Sequence, residues 1–322
     1  MHSGVRIGGH TYTDPDVIAL IHSRGVLVDP RVEIVRRARQ LNERYRAFEG
    51  TDAEPRRRLE MIASLAGITT VEPMFQATGS GGRREGLVYH DSDGSQRAFY
   101  ANGYSDGRTN YTIAHEIIHT QIPTSSRGAR FRNLSAADSR EANEMERLCD
   151  WGAAELLMPS EEFVEALGGD FGLHAVPALA ARFGSSYEAT VFRLATTYHG
   201  LAIAGSLRFR LRKREQEAHA CSHQQRLFST DPDSVTPVQP KYRRQSLHLS
   251  LECSESHLIP WNKSFDVSSC VYRAGRSQGI QTGREALPNR AKLIGTIQAV
   301  RAPYQRGDID SDYGDVLFIW WL

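Results

Sequence analysis

His115, Glu116 and His119 form an HExxH pattern, the stretch of this chain best suited to metal chemistry. In a helix, residues four positions apart lie on one face, one turn from each other, so both imidazoles can face a single metal ion. Glu116 would lie about 100° around the helix, within reach of a water molecule beside that metal. Zinc hydrolases use two imidazole ligands and an adjacent carboxylate in this way. The pattern therefore predicts Zn²⁺ at His115 and His119, with Glu116 as the catalytic base.

The residues around the pattern predict a helix. Thr109 or Asn110 can cap its N-terminus, and an apolar stripe follows. The stripe consists of Ile113, Ala114, Ile117 and Ile118. The alternative to a metal site is a solvated helix face with two exposed histidines. The stripe argues against that alternative, because it would bury the helix, and buried neutral imidazoles need a shared polar partner.

A third protein ligand must come from further along the chain. The extended pattern with a third histidine is excluded, because Ile122 and Ser125 stand where it requires Gly and His. A second predicted helix carries Glu144, Glu146 and Asp150. Glu146 and Asp150 share a helix face, so the glutamate could bind the metal while the aspartate holds the outer nitrogen of a ligand histidine. Spacing alone does not choose between Glu144 and Glu146.

Residues 110–200 resemble the ImmA/IrrE family of zinc endopeptidases. Two positions depart from the family pattern: Ile118 stands where Gly is usual, and Leu148 where a second Glu is usual. Neither departure removes a candidate ligand. The segments that carry the resemblance are Thr112–His119, Glu146–Asp150, the Ala-Ala-Glu-Leu-Leu-Met-Pro run Ala153–Pro159, and the helical-hairpin segment that begins with Leu179–Phe183.

The resemblance implies a zinc-dependent endopeptidase with His115, His119 and Glu146 as metal ligands and Glu116 as base. It also implies that Asp150 holds the outer nitrogen of a ligand histidine. The implied substrate is a regulatory protein, and the candidate is a helix-turn-helix repressor of stress or mobile-element genes. The alternative function is a non-catalytic zinc-binding regulatory or sensor protein, although a purely structural site has no use for Glu116.

Composition fits this interpretation. A chain of 322 residues with 40% hydrophobic and 24% charged residues predicts a globular protein of one large or two medium domains. The net charge of +1 gives no reason to expect direct nucleic-acid binding. Because no apolar run approaches about 20 residues and the first residues lack a signal peptide, we expect a cytoplasmic protein without a membrane span. We also expect reduced thiols at Cys149, Cys221, Cys253 and Cys270.

The sequence predicts an α+β architecture in two parts. Residues 1–205 are assigned to a zincin-like metallopeptidase domain, with a helical N-terminal part, a small sheet, the HExxH helix and a helical hairpin near 160–200. In the small sheet, Glu85–His90 and Ser95–Asn102 predict a β-hairpin, and the second strand is the candidate edge for an extended substrate. Residues 206–322 are assigned to a β-rich C-terminal domain without a predicted role.

Several assignments stay open at this stage. The group that stabilises the oxyanion is not assigned, with Tyr111 and the arginines of residues 123–138 as candidates. The basic segment Ser206–Arg214 is expected to be a solvated strand face. The oligomeric state is not predicted. A weaker metal-binding candidate consists of His219, Cys221 and His223.

Overall fold

The chain forms two compact units, Met1–Gly168 with Pro177–Ala189, and Gly169–Val176 with Thr190–Leu322. Both helices and strands are present, which confirms the predicted α+β class. Residue 205, where the predicted domains were divided, lies inside a strand of the second unit. The computed structural model describes residues 4–7, 10–49, 54–74, 84–91, 93–123, 129–133, 140–212, 214–218, 220–221, 239–250, 252–304 and 313–322.

The helices of the first unit begin at sequence signals that are easily recognised. Prolines stand at the first position of α1, α2 and α3, where the missing N–H costs no hydrogen bond. Asp14 caps α1 by accepting hydrogen bonds from the backbone N–H groups of Asp16 and Val17. The helices are α1 (Pro15–His22), α2 (Pro30–Glu49), α3 (Pro55–Leu65), α4 (Asp106–His119), α5 (Arg140–Leu157), α6 (Ser160–Leu167), α7 (Val176–Phe183) and α8 (Tyr187–Thr197), the last of which continues into the second unit.

Helix α2 packs against α5 and α3. On α2, Ala38, Leu41 and Tyr45 are buried, whereas Val32 is exposed. Glu33, on the same helix, is also buried. Hydrogen bonds from Arg36 outweigh burial and, together with those from Arg37, lower the pKa of the Glu33 carboxyl to about 2. Ile34 is fully buried in the core.

The sheet of the first unit has the strand order β3-β5-β4-β6, with β3 and β5 parallel and the other pairs antiparallel. The predicted hairpin is confirmed as β4 and β5, with Gly94 at a φ of 88° in the turn. The predicted edge strand was wrong, because β5 lies between β3 and β4. The strands of this unit are β1 (Val5–Ile7), β2 (His10–Tyr12), β3 (Ile68–Met74), β4 (Arg84–His90), β5 (Gln96–Ala101) and β6 (Ala129–Asn133), with β1 and β2 forming a separate hairpin.

The second unit contains an antiparallel sheet of strand order β8-β7-β11-β10-β9. Its apolar last strand, β11, is central and buried, and a short helix, α9, packs against β9, β10 and β11. The predicted β-rich C-terminal region is thereby confirmed, although α9 and β9 were not predicted. The elements are β7 (Ala202–Arg210), β8 (Lys241–Leu249), α9 (Cys270–Arg276), β9 (Gln281–Ala286), β10 (Ile294–Arg301) and β11 (Val316–Trp321).

Part of the basic segment predicted to be a solvated face is engaged within the second unit. Arg208 lies 3.4 Å from the carboxylate of Asp315. Arg243, on the neighbouring strand, is buried and donates to both carboxylate oxygens of Glu215. Burial also lowers the pKa of Arg210, with further contributions from Arg208 and Arg243. These guanidinium groups therefore contribute to the fold of the unit.

No helix in the described part of the chain combines the length and apolar character needed to cross a bilayer.

Candidate metal centre

Helix α4 carries the HExxH pattern and begins earlier than predicted, at Asp106 with Ser105 as the preceding residue. Thr109 and Asn110 were predicted as caps but lie inside the helix. The Thr109 hydroxyl donates to the backbone oxygen of Ser105, and the Asn110 amide donates to the backbone oxygen of Gly184. Asn110 therefore joins α4 to the turn between α7 and α8, a contact that no local sequence signal reveals.

The side chains of the pattern are buried, not solvated. His115, Glu116 and His119 are 0%, 1% and 3% exposed, which excludes the alternative of a solvated helix face. The two imidazole rings lie side by side, with their centroids 4.9 Å apart. The spacing of four residues thus places both rings on one buried face, as expected for a shared ligand.

Glu146 of α5 faces the inner nitrogens of both histidines. Its Oε2 lies 3.1 Å from Nε2 of His115, and its Oε1 lies 3.5 Å from Nε2 of His119. Burial by itself raises the pKa of the Glu146 carboxyl, but the hydrogen bond from His115 and the charges of both histidines together lower it. Glu146 is therefore a carboxylate, the form in which it can bind a cation.

The outer nitrogen of His115 is held by Asp150. Nδ1 of His115 lies 3.0 Å from Oδ1 of Asp150, and the hydroxyl of Tyr111 lies 3.3 Å from the same carboxylate oxygen. A neutral imidazole has one proton, and when Asp150 accepts that proton at Nδ1, the Nε2 lone pair faces Glu146. Two acceptors then face each other across 3.1 Å. Such a pair requires a cation between them, either a second imidazole proton or a metal ion.

The donor set fits a metal ion. Two imidazole nitrogens and one carboxylate oxygen form the protein part of many catalytic zinc sites, which leave a fourth position for water or substrate. The outer contact between His115 and Asp150 is the kind that fixes the tautomer and orientation of a ligand histidine. The structure thus brings His115 and His119 of α4 together with Glu146 and Asp150 of α5.

Glu144, the rival third ligand, is engaged elsewhere. Its carboxylate accepts hydrogen bonds from the backbone N–H groups of Thr13 and Asp14, at 2.9 and 3.1 Å, and from the Thr13 hydroxyl at 3.2 Å. It therefore attaches the N-terminal segment to α5. This contact distinguishes Glu144 from Glu146, which spacing alone did not.

Glu116 lies against the backbone of β4. A Cβ atom built on Gly86 would lie 2.7 Å from Cδ and 2.9 Å from Cγ of Glu116, closer than side chains approach each other. Glycine at this position therefore leaves the space that the Glu116 carboxylate fills. Sequence reasoning missed Gly86, because nothing near it in the chain indicates that α4 approaches so closely.

Residues 65–195 match the family described as Peptidase M78, IrrE N-terminal-like domain. This segment is therefore similar to an IrrE N-terminal-like domain. The match confirms the resemblance to the ImmA/IrrE family and supports a peptidase. Among solved structures, the chain is similar to a Mycobacterium tuberculosis transcriptional regulator, with 13% identity, a TM-score of 0.49, and coverage of 95% of this chain and 80% of that chain. The comparison with curated proteins gave no match.

A second grouping of potential metal ligands is present among the described residues. Ligand atoms of His115, His119 and Cys149 lie within 4.8 Å of one another. The sulfur of Cys149, however, approaches His119 at Nδ1, at 3.4 Å, whereas Nε2 of that ring faces Glu146. Because the two ring nitrogens of His119 point in different directions, a metal held by the Nε2 atoms would not also be bound by the sulfur of Cys149. We favour the set that contains Glu146, since it uses the facing nitrogens of both rings.

The interface between α4 and α5 explains one departure from the family pattern. Ile118 stands where the family usually has Gly, and a Cβ atom on Gly152 of α5 would lie 2.7 Å from Cγ2 of Ile118. The small residue is thus on the opposite helix.

Glu155, in the Ala153–Pro159 segment, is buried and accepts hydrogen bonds from Arg39 and Ser160. That segment therefore positions helices and does not reach the metal centre.

The remaining candidates from the sequence are Tyr111, three arginines and the group of His219, Cys221 and His223. The Tyr111 hydroxyl lies 3.1 Å from the backbone oxygen of Asp150 and 3.3 Å from its carboxylate oxygen. It therefore contacts the residue that faces the outer nitrogen of His115. Arg127, His219 and His223 lie outside the described residues. Cys221 is exposed. Arg130 and Arg132 lie on β6, where only the backbone is described.

Proposed function

We propose that this chain is a zinc-dependent endopeptidase whose Zn²⁺ is held by His115, His119 and Glu146, with Glu116 as the general base. The observation that carries the proposal is the geometry of the two imidazoles. Their inner nitrogens face one carboxylate, and the outer nitrogen of His115 faces another, from Asp150. A buried, adjacent Glu116 that is not needed as a ligand favours catalysis over a purely structural zinc site.

The reaction would be the addition of water to a peptide carbonyl. Zinc, when bound, supplies Lewis acidity that acidifies water and polarises the carbonyl. Glu116 accepts a proton from the attacking water at a carboxylate oxygen and returns it to the nitrogen of the departing amine. Burial of this carboxylate between α4 and β4 keeps it in one place during both transfers. Asp150 keeps the proton of His115 on Nδ1, so Nε2 remains a donor atom for the metal.

A protein substrate would bind in an extended form along β6. In the described sheet, β6 has β4 as its neighbour and an outer edge, and β4 carries Gly86 beside Glu116. The register of β4 and β6 is irregular between Arg84 and Leu87, the stretch that contains Gly86. An added peptide strand would pair with the backbone of β6 and run past the catalytic helix. By resemblance, the candidate substrate is a helix-turn-helix repressor.

The test combines metal analysis with a search for cleaved proteins. The purified full chain should contain about one zinc per molecule by mass spectrometry, and Glu116→Gln should retain it, because Gln has the same shape and Glu116 is not a ligand. Protein N-termini are then compared in cells that make the unchanged chain or the Glu116→Gln variant. New protein N-termini should form in cells that make the unchanged chain. The rate at which they form should be about 10²–10⁴-fold lower in cells that make the variant.

Two outcomes would count against the proposal. A chain without zinc would show that a second imidazole proton, not a metal, lies between His115 and Glu146. Zinc binding without any cleavage that depends on Glu116 would favour the alternative, a zinc-binding regulatory or sensor protein.

A further inference from the structure

The sulfur of Cys149 contacts the outer nitrogen of a proposed zinc ligand. Sγ lies 3.4 Å from Nδ1 of His119, and both residues are buried. Nε2 of the same ring lies 3.5 Å from Oε1 of Glu146. Cys149 and Glu146 therefore meet opposite edges of one imidazole, and both come from α5.

The other ligand histidine has a different kind of partner at the same position. Nδ1 of His115 faces a carboxylate oxygen of Asp150 at 3.0 Å. An ionised carboxylate only accepts hydrogen bonds, so it favours the tautomer of His115 with the proton on Nδ1. A thiol both donates and accepts, although weakly. The two histidines thus differ in whether their outer partner dictates the tautomer.

We propose that Cys149 is a positioning residue and not a ligand, and that its thiol lets His119 change tautomer when zinc binds. This inference rests on the proposed function. In the metal-free chain, the thiol donates to Nδ1 of His119, and the ring proton lies on Nε2, on the side of Glu146. With zinc at Nε2, the ring proton resides on Nδ1 and is donated to the sulfur. The thiol keeps its own proton and turns it away, so the ring exchanges one proton with solvent and no net charge changes.

Zinc affinity of cysteine variants tests the positioning role. Cys149→Ala should weaken zinc binding about 10–100-fold, as expected when the partner of a ligand histidine is lost. Cys149→Ser should recover most of that loss, because a hydroxyl also donates and accepts. Cys270→Ala is the matched control, since Cys270 is equally buried but lies in the second unit. Circular dichroism of the metal-free proteins shows whether each variant is folded.

Spectroscopy of the unchanged chain tests the same inference without any variant that could misfold. Cobalt-substituted protein should lack the near-ultraviolet charge-transfer band of a thiolate bound to Co²⁺. Nitrogen NMR of histidine-labelled protein should place the His119 proton on Nε2 without metal and on Nδ1 with zinc. The proton of His115 should stay on Nδ1 in both states.

Failure of this inference can be distinguished from failure of the proposed function. A thiolate–cobalt band would make Cys149 a ligand and overturn the inference. Unchanged zinc affinity in folded Cys149→Ala, or the same His119 tautomer with and without zinc, would also overturn it while leaving the zinc site intact. If the unchanged chain binds neither zinc nor cobalt, the proposed function is wrong and the inference is wrong with it.

Discussion

Replacing Gly86 by alanine should displace Glu116, the proposed catalytic base, while leaving the proposed metal ligands in place. The new Cβ would lie 2.7 Å from Cδ of Glu116, so this side chain must move by several tenths of an ångström. Glu116 is only 1% exposed and cannot retreat into solvent. Gly86 lies in a strand and is not among the glycines with positive φ, so alanine fits its backbone.

The expected magnitudes follow from this crowding. Overpacking in a buried site typically costs about 1–3 kcal/mol. Loss of a glycine returns about 0.4–1 kcal/mol, because alanine restricts the unfolded chain. We therefore expect a net loss of unfolding free energy on the order of 1 kcal/mol. Catalysis is more sensitive, since a misplacement approaching 1 Å at the reacting groups can reduce the rate about 10²-fold. Zinc content should not change.

A double-mutant cycle measures whether Glu116 is the group that Gly86 accommodates. Urea unfolding of the metal-free protein would compare Gly86→Ala in the unchanged chain and in a Glu116→Ala background. With the Glu116 side chain removed, Gly86→Ala should be neutral or stabilising. An equal loss of stability in both backgrounds, or full proteolytic activity of Gly86→Ala, would refute the assigned contact.

Three further predictions concern the frame of the site. Glu146→Ala should reduce zinc affinity well beyond 10-fold, whereas Glu144→Ala should keep zinc and lose about 1–3 kcal/mol of stability through orphaned backbone N–H groups. Equilibrium dialysis measures the zinc affinity of each variant, and urea unfolding measures its stability. An equal loss of zinc affinity in both variants would show that the third ligand lies elsewhere. Gly152→Ala should lower the melting temperature by crowding Ile118, and adding Ile118→Ala should relieve that crowding. If the stability losses of the two substitutions simply add in the double variant, the contact between these residues is contradicted. Because the pKa of Glu33 is lowered to about 2, its ionised form stabilises the fold above its ordinary pKa, and this stability disappears as pH falls through about 2. Glu33→Gln should therefore lower the free energy of unfolding by about 1–3 kcal/mol near neutral pH, as measured by urea titration. The difference in stability between the variant and the unchanged chain should shrink as the solution is acidified. A difference that does not vary with pH would show that the carboxylate charge is not responsible.

The sequence predicts those parts of the site that depend on local periodicity. His115 and His119 share a face because helical geometry relates positions four apart, whatever surrounds the helix. The choice of Glu146 needed the family resemblance, since it depends on which glutamate the N-terminal segment engages. Thr13 and Glu144 are 131 positions apart, and no local pattern reports such a contact.

The errors in the fold have the same origin. The hairpin of β4 and β5 was predicted from adjacent residues and a turn glycine. The edge assignment failed because β3 adds in parallel to the outer side of β5, which depends on how α3 and β3 fold back. Gly86 similarly looks like any strand glycine until α4 is packed on the sheet. Local sequence therefore predicts elements, and the neighbours of each element require the tertiary structure.

The precision of the metal centre is set by the contact between α4 and α5. The inner nitrogens of both imidazoles on α4 face Glu146, and their outer nitrogens face Asp150 and Cys149, so every partner on α5 moves with that helix. The two axes are held apart by Ile118 against Gly152. Because a zinc ion held there would require all of these distances at once, a change that shifts α5 by a fraction of an ångström should weaken zinc binding even where no proposed ligand is altered. Zinc affinity thus reports on the packing of these helices as much as on the ligands themselves.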